Sequence, residues 1–157
     1  MAIKYTNERE VRTRFKELEL LYNQRAVDYL SRLGEQVVKY AKEHGSYTDR
    51  TANLRNSIGY IVVQSGKVIV ESFTGGSSSK EPGGDEAMAK ETGRTYAEQL
   101  VSEYSKSKTY LVWVAGMEYA AYVEAKDYDV IQGSGDWVES RAQSEMEKFK
   151  HWLMKRV

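Results

Sequence analysis

Residues 57–73 read SIGYIVVQSGKVIVESF. Two runs rich in β-branched and aromatic residues, 57–64 and 67–73, flank the pair Ser65-Gly66. That pair has the chemistry of a tight two-residue turn, so the stretch predicts a β-hairpin and antiparallel pairing. Upstream, the period changes. Val11, Phe15, Leu18, Tyr22, Ala26, Leu30, Leu33, Val37, Tyr40 and His44 follow one another in steps of three and four. This spacing predicts a helix over about 7–44 with one apolar stripe. Gly34 is expected to bend or break it, at a cost of about 1 kcal/mol relative to alanine, and Gly45 to stop it. Unbroken, such a helix is roughly 50 Å long at about 1.5 Å per residue, more than one small domain covers. Two readings stay open: part of the stripe packs on a partner chain, or the helix crosses its own sheet and frays at one end.

Downstream, residues 75–86 (GGSSSKEPGGDE) hold the single proline, Pro82, among glycines and serines. The composition predicts a flexible loop. Residues 87–105 read as a modest helix weakened in its first half by Gly93, and 109–116 (TYLVWVAG) as a strand. Residues 117–125 fit one or two helical turns, and 128–131 a short edge strand. Gly133-Ser134-Gly135-Asp136 marks a break, with Ser134 or Asp136 placed to cap a C-terminal helix running from Trp137 to the end. The fold class expected is α+β: a single domain, 1–157, in which a long N-terminal and a C-terminal helix pack on a small, mainly antiparallel sheet.

Lys plus Arg and Asp plus Glu are 23 each, so the formal net charge is zero. Phosphate neutralisation normally requires a basic excess, which speaks against a general nucleic-acid binder. The chain has no cysteine, which removes disulfides, thiolate nucleophiles and cysteine-ligated metals. No apolar run approaches the roughly 20 residues of a membrane span, and the Met1-Ala2-Ile3-Lys4-Tyr5 start lacks the apolar core of an export signal.

No catalytic, cofactor or metal-ligating set emerges. The two histidines, His44 and His151, stand in separate helices, where a dipole or surface role is the expected one. Gly83-Gly84-Asp85-Glu86 shares letters with the signature of cyclic-dinucleotide synthases, but sits in a Gly/Ser loop. It reads as a solvated turn with acids at a helix N-terminus. Gly133-Ser134-Gly135 lacks the ending of a phosphate-gripping loop, and Asp127 with Asp129 falls short of a calcium loop. Among the twelve tyrosines, those at 47, 60, 96, 104, 110, 119, 122 and 128 combine contact area with a polar tip. That suits protein interfaces, half-buried core packing being the other reading.

Two segments carry a resemblance. Arg50-Thr51-Ala52-Asn53-Leu54-Arg55-Asn56-Ser57-Ile58 follows the long helix and enters the hairpin. Met117-Glu118-Tyr119-Ala120-Ala121-Tyr122-Val123-Glu124 follows the later strand. In this order they resemble the HK97 gene-product-10-like family of phage neck and tail-completion proteins, found in prophages as tail components. Arg50, Thr51, Leu54, Ser57 and Ile58 match the first motif, and Tyr119, Ala120, Val123 and Glu124 the second. Asn53, Arg55 and Tyr122 lie within the same segments. The family usually has glycine where this chain has Ala52, and often again soon after the glutamate, where it has Ala125-Lys126-Asp127. Those departures suggest local turns of a different shape.

The resemblance implies a non-enzymatic structural protein of the head–tail junction. It would form a homo-oligomeric ring and join a portal-side adaptor to a tail terminator or tube protein. Its place would be the virion, and the host cytoplasm before assembly. From the residues alone, Glu124 is expected to pair with Arg50 or Arg55 and so fix the two motifs together. Two rivals are a non-catalytic regulatory or adaptor module and a small hydrolase or nuclease. The last predicts a cluster of ionisable groups in a cleft, which the sequence does not display.

Overall fold

Alternation along the first half of the hairpin sends Ile58, Tyr60 and Val62 to one face and Ile61 and Val63 to the other. All five are buried. In the computed structural model, which describes residues 7–155, this segment is β1 (Ile58–Gln64), the centre of a three-stranded sheet. It pairs antiparallel with β2 (Lys67–Ser72) across the Ser65-Gly66 turn, and antiparallel on its other side with β3 (Thr109–Ala115). Ser65 and Gly66 take φ of 52° and 75°, the positive values that a twist-matched hairpin turn needs. A bulge between Val62 and Val63 leaves Ile69 unpaired and half exposed on β2, which makes the free edge irregular.

A strand buried on both faces needs a cover on each. The long helix α1 (Glu8–His44) covers the Ile58, Tyr60 and Val62 face with Val38 and Ala41. The helix α3 (Glu86–Val101) covers the Ile61 and Val63 face with Ala97. The C-terminal helix α5 (Gln132–Met154) runs antiparallel along α1: Tyr29 packs on Phe149 with ring centroids 4.7 Å apart, and Tyr40 stacks on Trp137 at 5.4 Å. The Tyr29 hydroxyl meets Glu145 at 3.0 Å. Two short helices, α2 (Asn53–Asn56) and α4 (Ala120–Glu124), complete the α+β fold. Met1–Tyr5, read above as lacking an export signal, and the last two residues of the expected C-terminal helix lie outside the described residues.

Four local expectations are corrected. α1 does not break at Gly34. Gly34 is a notch: a Cβ there would stand 2.5 Å from the Tyr60 ring, whose hydroxyl donates to Glu35 at 2.9 Å. Residues 128–131 form no strand, because their amides are already engaged. Glu124 accepts the N–H groups of Val130 and Ile131 at 3.0 and 3.1 Å, and Ser46 Oγ accepts that of Asp129 at 2.8 Å. The Gly133–Asp136 stretch is not a break but part of the first turn of α5, whose first orphan amides the Glu124 and Asp129 carboxylates satisfy. Gly133 donates to Asp129 at 2.9 Å, and any side chain at that position would collide with that carboxylate. Ser134, expected as a cap, instead accepts the Trp113 indole N–H at 3.1 Å. Finally, α3 ends at Val101, short of 105.

Gly93 has a positive role that its helix propensity hides. It lies against Gly116, and a Cβ on Gly116 would come within 2.3 Å of the Gly93 Cα. The absence of both side chains lets α3 approach the end of β3. Before α3, residues 73–85 contain no helix or strand, yet their backbone is tied to α2 by two buried amides. Asn56 donates to the Ser77 carbonyl at 3.0 Å and accepts its N–H at 2.8 Å. Asn53 does the same for Gly83 and Asp85 at 3.1 and 2.8 Å. Asp85 in turn caps α3, accepting from Met88 N at 2.9 Å.

Candidate functional site

The two motif segments, far apart in sequence, meet at one end of the sheet. Gly45 closes α1 by donating to Ala41 at 3.2 Å, and the next residue, Ser46, exchanges hydrogen bonds with Asp129 at 3.1 and 2.8 Å. This knot brings the 46–52 turn beside the segment that follows α4. Asp49 accepts the Arg55 backbone N–H at 2.7 Å and so supports α2. Between them opens a cleft of about 460 Å³.

Arg50, Thr51 and Leu54 from the first motif line this cleft, as do Tyr119, Tyr122 and Val123 from the second. The remaining motif residues stand behind it. Ile58 and Ala120 are core. Ser57 accepts the Gly116 N–H on its Oγ at 3.1 Å. Asn53 clamps the 73–85 segment. Arg55 lies over the Tyr47 ring, 5.0 Å from its centroid. The expected ion pair from Glu124 to Arg50 or Arg55 does not form. Both Glu124 oxygens are taken by Val130, Ile131 and Gln132 amides at 3.0–3.1 Å. Arg50 instead reaches Glu81 at 3.8 Å. Asp49 and Lys126 also line the cleft and were not singled out from sequence. For Lys126 a signal existed: it stands four residues after Tyr122, whose ring lies 5.3 Å from its ammonium.

The tyrosines divide as the two readings allowed. Tyr47 and Tyr60 are buried, whereas Tyr119, Tyr122 and Tyr128 at the cleft are 41%, 64% and 50% exposed. Burial pushes the Tyr47 phenol up to about 12, against the opposing charge of Arg55. Tyr119 is also raised, by burial first and the nearby Asp49 carboxylate second, with a Thr51 hydrogen bond acting against them. Both shifts lead away from neutrality, so the two phenols stay protonated. The cleft offers aromatic faces, hydroxyls and the mixed charges of Asp49, Arg50 and Lys126, a surface suited to holding other side chains.

The Tyr47 hydroxyl and Arg55 Nε are buried without hydrogen-bond partners. A phenol raised in the fold favours folding fully below its unfolded value near pH 10. That contribution is lost as pH climbs from 10 toward 12. Thermal midpoints measured from pH 8 to 12 are expected to hold to pH 10 and then fall. In Tyr47→Phe, which deletes an unsatisfied hydroxyl, the neutral-pH midpoint is expected to be unchanged or higher and the alkaline fall shallower. A lower midpoint at neutral pH contradicts this.

Among the described residues no group of three or more His, Asp and Glu is placed to hold a metal ion, and no helix is long and apolar enough to cross a membrane. No family model, curated protein or solved structure matches the chain.

One feature of the backbone bears on the resemblance. Among the described residues, three non-glycine positions take positive φ: Ala52 at 60°, Ser65 at 52° and Asp127 at 62°. Ser65 belongs to the hairpin turn. Ala52 stands where the neck-protein pattern usually has glycine, and Asp127 ends the Ala125-Lys126-Asp127 stretch in which it often has another; both adopt the left-handed conformation that glycine favours.

Proposed function

We propose that the chain is a structural protein of the head–tail junction of a tailed phage or prophage, a neck or tail-completion component. It acts by closing a ring of its own copies and holding neighbouring neck and tail proteins. The observation that carries this reading is the coincidence of motif and geometry. The two segments that resemble the neck family converge on one open, tyrosine-lined cleft, and the backbone takes a glycine-type conformation at Ala52 and at Asp127, one residue in each of the two stretches that depart from the pattern. Exposed Tyr119, Tyr122 and Tyr128 supply contact area with polar tips, and a ring follows from heterologous contacts that close.

The reading is tested by electron microscopy of particles from a phage or induced prophage that lacks this gene. The expected result is filled heads and tails that remain separate. Normal, tailed, infectious particles would sink the assignment. Portal, capsid and tail genes alongside the coding sequence are a second expected observation.

A further inference from the structure

We propose that residues 8–25 of α1 form a self-complementary seam through which two copies of this chain pair in solution, their helices antiparallel. The proposal stands on α1 alone and does not depend on the neck reading.

The seam is a continuation of an interface already in the fold. On α1, Arg25, Tyr29 and Tyr40 face α5: Arg25 donates to the Leu153 carbonyl at 2.9 Å, and the two tyrosines pack on Phe149 and Trp137. Stepping back by three and four places Tyr22, Leu18, Phe15 and Val11 on the same side of the helix. α5 ends at Met154, level with Arg25. Beyond that point, among the described residues, the strip lies largely open over roughly 25 Å, at about 1.5 Å per residue, with Leu18 partly covered. Phe15 is 69% exposed, Tyr22 39% and Val11 37%.

The pattern of that open strip selects its occupant. Val11, Phe15, Leu18 and Tyr22 are spaced four, three, four, the seam of a two-helix coiled coil. An axis between Lys16 and Glu17 sets Phe15 against Leu18 of the second copy and Val11 against its Tyr22. The same register brings Glu8 opposite Arg25 and Arg12 beside Glu19. Charge fixes the direction. Residues 8–16 hold Arg9, Arg12, Arg14 and Lys16 against Glu8 and Glu10, and residues 17–24 hold only Glu17 and Glu19. Antiparallel pairing lays the positive half on the negative half, and parallel pairing would stack like on like. Arg12 and Arg14 now reach Glu8 and Glu17 at 4.0 and 3.2 Å in pairs that are mostly exposed, and such pairs exchange at little cost. Leu20, 70% exposed, lies off the seam. A two-fold contact of this kind cannot itself close a ring. It makes a dimer distinct from any ring.

Sedimentation velocity of the full chain over a hundredfold concentration range is the test. The mass is expected to rise from 18.0 kDa toward twice that value. Phe15→Glu, at a largely exposed position, is expected to keep its circular dichroism and stay monomeric. Arg12→Glu is expected to weaken pairing about tenfold, and Arg12→Glu with Glu19→Arg to restore it. The chain has no cysteine, so oxidising a mixture of Phe15→Cys and Leu18→Cys chains is expected to cross-link the two to each other in preference to themselves. A wild-type chain monomeric throughout overturns the proposal. So does an association that survives Phe15→Glu, or a charge swap that fails to rescue.

Discussion

Gly116→Ala is expected to destabilise the fold by about 2–3 kcal/mol, the upper part of the range for overpacking a filled interior. The new methyl would stand 2.3 Å from the Gly93 Cα, 2.6 Å from its nitrogen and 2.9 Å from the Thr92 carbonyl oxygen. All three are backbone atoms of α3, so no rotamer change relieves the clash and the helix must lift from the sheet. Gly93→Ala meets the Ser57 carbonyl at 2.3 Å and is expected to behave alike. For a chain of this size, the thermal midpoint of either is expected to fall by roughly 5–10 °C. The double variant should cost less than the sum, because one displacement accommodates both methyls. Gly135→Ala is the control. A Cβ there meets nothing within 4 Å inside α5, and a helical glycine replaced by alanine gains up to about 1 kcal/mol. Equal losses at Gly116 and Gly135 would contradict the close-approach account.

Glu124→Ala is expected to cost about 2–3 kcal/mol and to fray the start of α5. The carboxylate accepts three consecutive amides, those of Val130, Ile131 and Gln132, at 3.0–3.1 Å. Removing it leaves donors at a helix N-terminus without a partner and takes negative charge from the favourable end of the helix dipole. Glu124→Gln keeps one acceptor oxygen and should lie between. Hydrogen exchange separates this from general unfolding. Amides 130–136 should lose protection first, while those of β1 keep theirs. Uniform loss along the chain would mean that Glu124 is not a cap.

The parts of the fold that sequence made legible are those in which one local period dominates. Alternation in 57–73 and the three–four steps of α1 leave few other ways to bury so many apolar groups. What sequence missed depends on partners outside the element being read. Gly34 looks like a helix breaker until Tyr60 is seen filling the notch. Gly133 and Gly135 look like punctuation because the carboxylates that cap their turn, Glu124 and Asp129, lie outside α5. Val130-Ile131 has strand composition, but its amides are spent on Glu124. Composition alone likewise does not register that two asparagines, Asn53 and Asn56, tie a glycine- and serine-rich segment to α2. At the candidate site, the motif residues were legible and their roles were not. Glu124 was expected to bridge to an arginine, and it caps α5, because three nearby backbone donors satisfy a carboxylate more fully than one exposed guanidinium.

Tyr122 is where the functional account is most exposed to test, because it is 64% exposed, lines the cleft and takes part in no core contact that its loss would break. A phage or prophage deleted for this gene can be complemented with the Tyr122→Glu chain, and its particles counted by electron microscopy. The variant is expected to keep the wild-type melting temperature and to reduce the yield of joined particles at least tenfold, with heads and tails lying apart. Wild-type numbers of joined, infectious particles from that variant would contradict the functional account.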